Sequence, residues 1–257
     1  MPRLIKPFDS EVRRAVHDAG RLLPDPTRRL LLRGAASFGA LSLLTGCDVT
    51  DGLSVEKALR AISRFNDGAQ ALLFDPDRLA PTYPESAINR PFRFNGYYDE
   101  DDAPEIDAED YTLAIGGLVE NRKAWTLDEL YALPQETQIT RLVCVEGWSL
   151  IGKWTGIPLR DFLRRIGADL SAKYVYFRCA DRYFSSIDMP TALHPQTQMT
   201  VKFDGKILPR SFGFPLRIRI PTKLGFKNPK YVVELAVINQ YVGGYWENQG
   251  YNWFSGL

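Results

Sequence analysis

The sequence predicts an α+β fold, and three features carry that prediction. Helix-period and strand-period stretches are interleaved without the regular strand-helix-strand rhythm of a parallel α/β sheet. Strand-like runs at 111–117, 138–145, 173–179 and 201–209 are rich in β-branched and aromatic residues. The helices among them are short: one opens at the capping box Thr126 to Glu129, and another runs from Pro158 to Gly167, with proline near its start and glycine past its end. At 257 residues, 45% hydrophobic and 25% charged, the chain suffices for one large domain or two small ones.

In chain order, Arg28 and Arg29 precede an apolar segment, Gly34 to Leu44, that is too short to span a bilayer. This arrangement resembles a twin-arginine export signal, and Leu44-Thr45-Gly46-Cys47 resembles a lipobox whose cysteine is acylated. Residues 1–47 are therefore expected to direct export through the twin-arginine translocase to the periplasm, with a lipid anchor at Cys47. An amphipathic surface helix or an uncleaved anchor are the alternatives for this segment. Residues 48–91 are read as a helix and an extended linker. Val55, Leu59, Ile62, Phe65, Ala69, Leu72 and Leu73 recur at spacings of three and four, giving an apolar face for the domain or for a partner. Pro76, Pro81 and Pro84 then enforce extension.

The remaining 92–257 form the domain that carries the chemistry. Asn95-Gly96 marks a turn, followed by an acidic loop, Asp99 to Asp110. The run from Gln138 delivers Cys144 where a strand stops and a Gly-Trp turn begins, a position both rigid and accessible, as a metal ligand requires. Burial as a small hydrophobe is the alternative for that cysteine. Asp204-Gly205 punctuates a hairpin. Beyond it, Arg217 and Arg219 share one strand face, and Lys223, Lys227 and Lys230 follow in a loop punctuated by Gly and Pro. This basic stretch is either a phosphate cradle or a solvated face. Neither a GxGxxG nor a GxxxxGK[ST] motif is present, so a phosphate here would belong to no Rossmann or P-loop site.

Composition excludes several classes. Lys and Arg (32) nearly cancel Asp and Glu (31), which removes the electrostatic basis for nucleic-acid binding. Cysteines at 47, 144 and 179, with histidines at 17 and 194, form no disulfide framework, haem-attachment motif or zinc-ligand cluster.

Four ordered motifs resemble the sulfite oxidase family of molybdenum-molybdopterin enzymes, in particular its exported bacterial branch. They are Cys144-Val-Glu-Gly-Trp148-Ser, Trp154-Thr-Gly-Ile-Pro158-Leu, Leu193-His-Pro195 and Gly213-Phe-Pro-Leu-Arg217 through Lys227. The resemblance implies a single molybdopterin-binding domain of mixed sheets and short helices, monomeric and without the family's C-terminal dimerisation domain. It implies Cys144 as the molybdenum ligand, a soft sulfur donor suited to that centre. It further implies cofactor contacts at Asn95, Tyr98, Asp99, Cys179, Arg217, Asn228, Pro229 and Lys230. Two positions depart from the pattern: Cys179 stands where the family has a threonine, and Phe212 where the reductase branch has an asparagine. Phe94 replaces the arginine that sulfite oxidases proper carry there, which weighs against sulfite as substrate.

The expected activity is two-electron oxygen-atom transfer on a small S- or N-oxide. Arg141, Arg178 and Arg182 are candidates to line the substrate's access route. Electrons are expected to pass through a partner such as a membrane or c-type cytochrome, since no haem or iron-sulfur motif is present. The rival is a non-catalytic exported lipoprotein that uses the same fold for binding or electron-transfer scaffolding.

Overall fold

The computed structural model describes residues 52–257, with side chains from 59 onward. The twin arginines, the apolar segment and Cys47 lie outside the described residues.

Helix α1 (Gly52–Leu73) leads into an extended connection that is stitched to the domain rather than loose. Thr82 bridges to Thr140, the Tyr83 N–H donates to the Ile139 carbonyl (3.0 Å), and Asn89 exchanges hydrogen bonds with Ile151. Of the two places expected for the helix's apolar face, the domain takes little of it. Its domain contacts come from polar residues: Ser63 and Asp67 bond Asn252, Asp67 also accepts from the Phe254 N–H, and Gln70 accepts from the Gly256 N–H. Leu59, Phe65, Leu72 and Leu73 remain exposed.

Two sheets make the body. In the first, β1 (Thr112–Gly117), β2 (Trp125–Thr126), β5 (Tyr174–Cys179), β6 (Phe184–Asp188) and β10 (Val232–Ile238) lie in the order β2-β1-β10-β5-β6, and the β1–β10 pair is parallel. The second holds β3 (Glu136–Val143), β4 (Ser149–Pro158), β7 (Gln198–Phe203) and β8 (Lys206–Ile207) in sequence order, with β9 (Arg217–Arg219) on β7. Short helices α2 (Leu127–Tyr131), α3 (Leu159–Arg165) and α4 (Met189–Leu193) complete it. The main core draws Leu113, Phe177 and Val237 from the first sheet, Met199 and Ile218 from the second, and Phe162 and Leu163 from α3. Mixed sheets with short helices are thus what the sequence predicts.

Local chemistry explains most of these elements. The capping box at Thr126 is complete: its hydroxyl accepts from the Glu129 N–H, and the Glu129 carboxylate accepts from the Thr126 N–H. Asp204 and Gly205 both have positive φ (48° and 79°), as a tight hairpin turn requires. Pro158 caps α3, and Gly167 follows its end.

Strand β4 has no counterpart in the sequence reading, because two glycines interrupt its pattern. One of them is structural. A Cβ on Gly156 would lie 2.1 Å from the Met199 carbonyl oxygen, so only glycine permits the close β4–β7 approach. The predicted 138–145 strand is displaced to end at Val143, leaving Cys144 as the first residue of the turn. Of the two alternatives for the basic stretch, the solvated face is ruled out: Arg217 and Arg219 are 0% and 1% exposed.

Candidate functional site

A cavity of about 650 Å³ opens where β3 ends. Its walls come from the turn around Asn95, the Cys144–Trp148 turn, Asp181 and Tyr183 after β5, the loop from Gly225 to Lys230, and Trp246 and Tyr251 near the C-terminal end.

The Cys144 turn is tight. The Cys144 N–H donates to the Trp148 carbonyl (2.8 Å), the Gly147 N–H donates back to Cys144 (3.2 Å), and Gly147 has φ +88°. The half-buried Cys144 Sγ sits 3.8 Å from the Glu146 carboxylate, which also accepts the Trp148 indole N–H at 2.7 Å. Arg93 lies over that indole, 4.9 Å from its centroid. Burial pushes the Cys144 thiol up, and the Glu146 charge adds to the effect. Its place in the cavity lining leaves the sulfur within reach of a bound metal ion.

Behind the cavity lies an unusual concentration of positive charge. The guanidiniums of Arg217 and Arg219 each lie 5.1 Å from the ring centroid of Trp154, which is itself fully buried. Arg217 donates to the Asn95 side-chain oxygen (3.2 Å) and the Phe212 carbonyl (3.3 Å). Arg219 donates to Asn228 (2.6 Å), Thr140 (3.2 Å) and the Arg141 carbonyl (3.0 Å). Among the described residues neither arginine has a carboxylate partner, and the Nε of each lacks a hydrogen-bond acceptor. Lys230, 8% exposed, donates to the Ser211 carbonyl (3.1 Å) and lies over the Phe94 ring.

Burial pulls Arg217 down to about 10, and burial together with the Arg217 charge pulls Lys230 down to about 7. Such clustered, desolvated cations are poorly compensated by the chain alone. An anion reaching Asn95 and Lys230 would supply the missing charge. A soft sulfur donor on one wall and a cationic floor beneath thus fit a cofactor that carries both a metal and a phosphate.

The residues singled out from sequence separate into three groups. Cys144, Asn95, Tyr98, Asn228, Pro229 and Lys230 line the cavity, and Arg217 supports it through Asn95. Asn228 is also occupied structurally, since its side-chain oxygen takes both Arg219 and the Ile220 N–H. Asp99 is exposed at the start of a short 3-10 turn, and Cys179 is buried in the main core; neither side chain lines the cavity.

The three access arginines lie elsewhere. Arg141 lies over Tyr83 and lines a second cavity, Arg178 pairs with Glu234 at 2.7 Å, and Arg182 is exposed in the β5–β6 turn with φ +66°. The arginine that does line the site cavity is Arg93, beside the Asn95-Gly96 turn that flagged this region. Glu146, Trp246 and Tyr251 also line it without having been singled out. His194 is structural: its Nδ1 accepts from the Gln196 N–H, and its Nε2 lies 3.1 Å from the Arg78 carbonyl.

An α+β domain that brings a thiol and buried cations to one cavity fits a protein that holds a metal-bearing, phosphorylated cofactor. The chain belongs to the oxidoreductase molybdopterin binding domain family, whose match covers residues 100–246, and its cofactor is molybdenum-molybdopterin. It is 58% identical, over 96% of its length and 95% of the relative's, to a protein of Azospira oryzae named as a candidate protein-methionine-sulfoxide reductase subunit, YedZ1. Two proteins named protein-methionine-sulfoxide reductase catalytic subunit MsrP are more distant. That of Ralstonia nicotianae is 34% identical over 51% of this chain and 44% of its own. That of Xanthomonas axonopodis pv. citri is 36% identical over 57% and 52%. Among solved structures, the sulfane dehydrogenase SoxCD from Paracoccus pantotrophus aligns with a TM-score of 0.51 at 23% identity, covering 55% of this chain and 41% of that one, a likeness of fold alone.

Proposed function

We propose that this molybdopterin oxidoreductase reduces a sulfoxide, with Cys144 as the protein ligand to molybdenum. The observation that carries this reading is the Cys144 thiol on one wall of a cavity that Lys230 also lines, with the fully buried Arg217 behind it, linked through Asn95. The names of its relatives favour methionine sulfoxide within the S- and N-oxide class. Bound molybdenum-molybdopterin supplies the two-electron oxygen-atom-transfer chemistry. The chain contributes ligation by Cys144 and phosphate binding by Arg217, Lys230 and Asn95. The loop at Asn228 and Pro229 closes against the same cofactor.

Glu146 fixes the Trp148 indole, which in turn seats Arg93 at the cavity wall, where its positive charge attracts the dipolar S–O group. Trp246, Tyr251 and Tyr97 offer apolar faces for a thioether and exclude water around it. We further propose that the protein works in the periplasm after folded export directed by Arg28 and Arg29, with Cys47 acylated. Its reducing equivalents come from a membrane or c-type cytochrome partner.

The test is a purified holoenzyme assayed with a viologen donor against methionine sulfoxide, dimethyl sulfoxide, trimethylamine N-oxide and, in the oxidative direction, sulfite. Turnover highest with the sulfoxides is expected. Turnover confined to sulfite oxidation would overturn the substrate reading, and fully loaded protein inert to all four would favour a scaffold role.

A further inference from the structure

Helix α1 makes its hydrogen bonds to the domain from polar residues and leaves its bulkiest apolar side chains in solvent, with Ile62 and Ala69 half-buried. Ser63, Asp67 and Gln70 make the domain contacts, while Leu59, Phe65, Leu72 and Leu73 are 60%, 51%, 59% and 81% exposed. The apolar surface continues past the helix. Leu73, Leu79 and Leu257, all exposed, border a cavity of about 480 Å³ whose lining also includes Arg78 and Arg141, neither in an ion pair among the described residues. Large apolar side chains left in water on the helix and again around this cavity are costly without a cover.

We propose that this face lies on an anionic lipid bilayer, with the leucines and Phe65 at the acyl boundary and Arg78 and Arg141 against lipid phosphates. Three observations favour a bilayer as the occupant. No described helix is long and apolar enough to cross a membrane, so α1 suits lying in the interface rather than spanning it. Cys47 precedes Gly52 by five residues, so the lipobox-like motif can be no more than about 17 Å from the start of the helix. Finally, Arg78 and Arg141 lie beside Leu73, Leu79 and Leu257 in the lining of that cavity, which places positive charge next to apolar surface as an anionic headgroup layer requires. The inference rests on the export reading and is independent of the molybdenum reading. It also sets the site next to the bilayer, because β3 sends Arg141 and Val143 to this cavity and the chain then delivers Cys144 to the other.

The test floats full-chain holoprotein on vesicles of phosphatidylethanolamine and phosphatidylglycerol, and on phosphatidylcholine alone. Phe65→Asp/Leu72→Asp should lower vesicle partitioning about tenfold or more, in both the unaltered and the Cys47→Ala backgrounds, with molybdenum content unchanged. Arg78→Ala/Arg141→Ala should weaken binding to the anionic vesicles and leave the phosphatidylcholine value unaltered. A photoreactive p-benzoylphenylalanine in place of Leu72 guards against misfolding of the charged variant, and should crosslink to lipid in native membranes. Equal flotation of the charged variant, no flotation of the unaltered chain, or crosslinking of position 72 to a polypeptide would each overturn the proposal. Loss of flotation in Cys47→Ala alone, with no effect of the α1 substitutions, would leave the acyl anchor and reject the helix face.

Discussion

Replacing Arg217 with methionine separates the cost of its charge from the use of it. The guanidinium is fully buried, and burial lowers its pKa from 12.5 to about 10. Holding the charge there at neutral pH thus costs the folded chain about 3 kcal/mol. Against this stand two long hydrogen bonds, to Asn95 and Phe212, each contributing about 0.5 to 1 kcal/mol, and a cation–π contact with Trp154 of about 1 kcal/mol.

Methionine fills similar volume without the charge, so Arg217→Met should leave the apoprotein's stability unchanged or raise it by about 1 kcal/mol. For a domain of this size that is a rise of up to about 4 °C in Tm. Cofactor retention should move the other way. Loss of a charge-assisted phosphate contact of about 2 to 3 kcal/mol lowers affinity roughly 30- to 150-fold. Apoprotein from a host unable to make molybdopterin gives the first quantity by thermal denaturation, and pterin content after titration gives the second. An apo variant that melts many degrees lower while loading cofactor normally would refute the reasoning and make Arg217 a structural residue.

Other substitutions test the remaining parts. Cys144→Ser should abolish turnover and alter the metal's electronic spectrum while pterin is retained, because a hydroxyl cannot replace the soft sulfur; activity kept at the original level would remove Cys144 from the centre. Gly156→Ala should destabilise the domain by about 3 kcal/mol or more, since its Cβ meets the backbone of β7 at 2.1 Å, and denaturant melts measure this directly. Burial lowers His194 to about 4, below its ordinary 6.5, so the unfolded chain binds more protons between these values. Stability should fall by about 3 kcal/mol as pH drops from 6.5 towards 4, and His194→Gln should flatten that part of the curve. Cys179→Ser should cost about 1 to 3 kcal/mol, because it would bury a hydroxyl in the apolar core; unchanged stability would mean that the hydroxyl finds a partner.

What the sequence made legible was local chemistry. The Thr126 capping box, the Asp204-Gly205 turn and the Pro158-to-Gly167 helix each rest on residues within one turn of chain, and all three stand in the structure. Strand β4 escaped because Gly156 answers to a neighbouring backbone, which no pattern along the chain records. None of the three access arginines lines the cavity, and for Arg178 the reason is geometric. Arg178 adjoins Cys179 in sequence, and strand alternation therefore sends the two to opposite faces, one to Glu234 and solvent and the other to the core. Arg93 had only its closeness to the Asn95 turn to mark it. The burial of Arg217, Arg219 and Lys230 was beyond reach as well, since clustered positive charge in a sequence ordinarily signals a solvated surface.

The stretch that α1 grips through Asn252, Phe254 and Gly256 is continuous with the one that contributes Trp246 and Tyr251 to the cavity wall. Force applied at the helix is therefore delivered to the rim of the site through a few residues of chain, with no hinge domain between. A substitution that loosens α1 therefore reaches the cavity wall at Trp246 and Tyr251 through the same short stretch of chain.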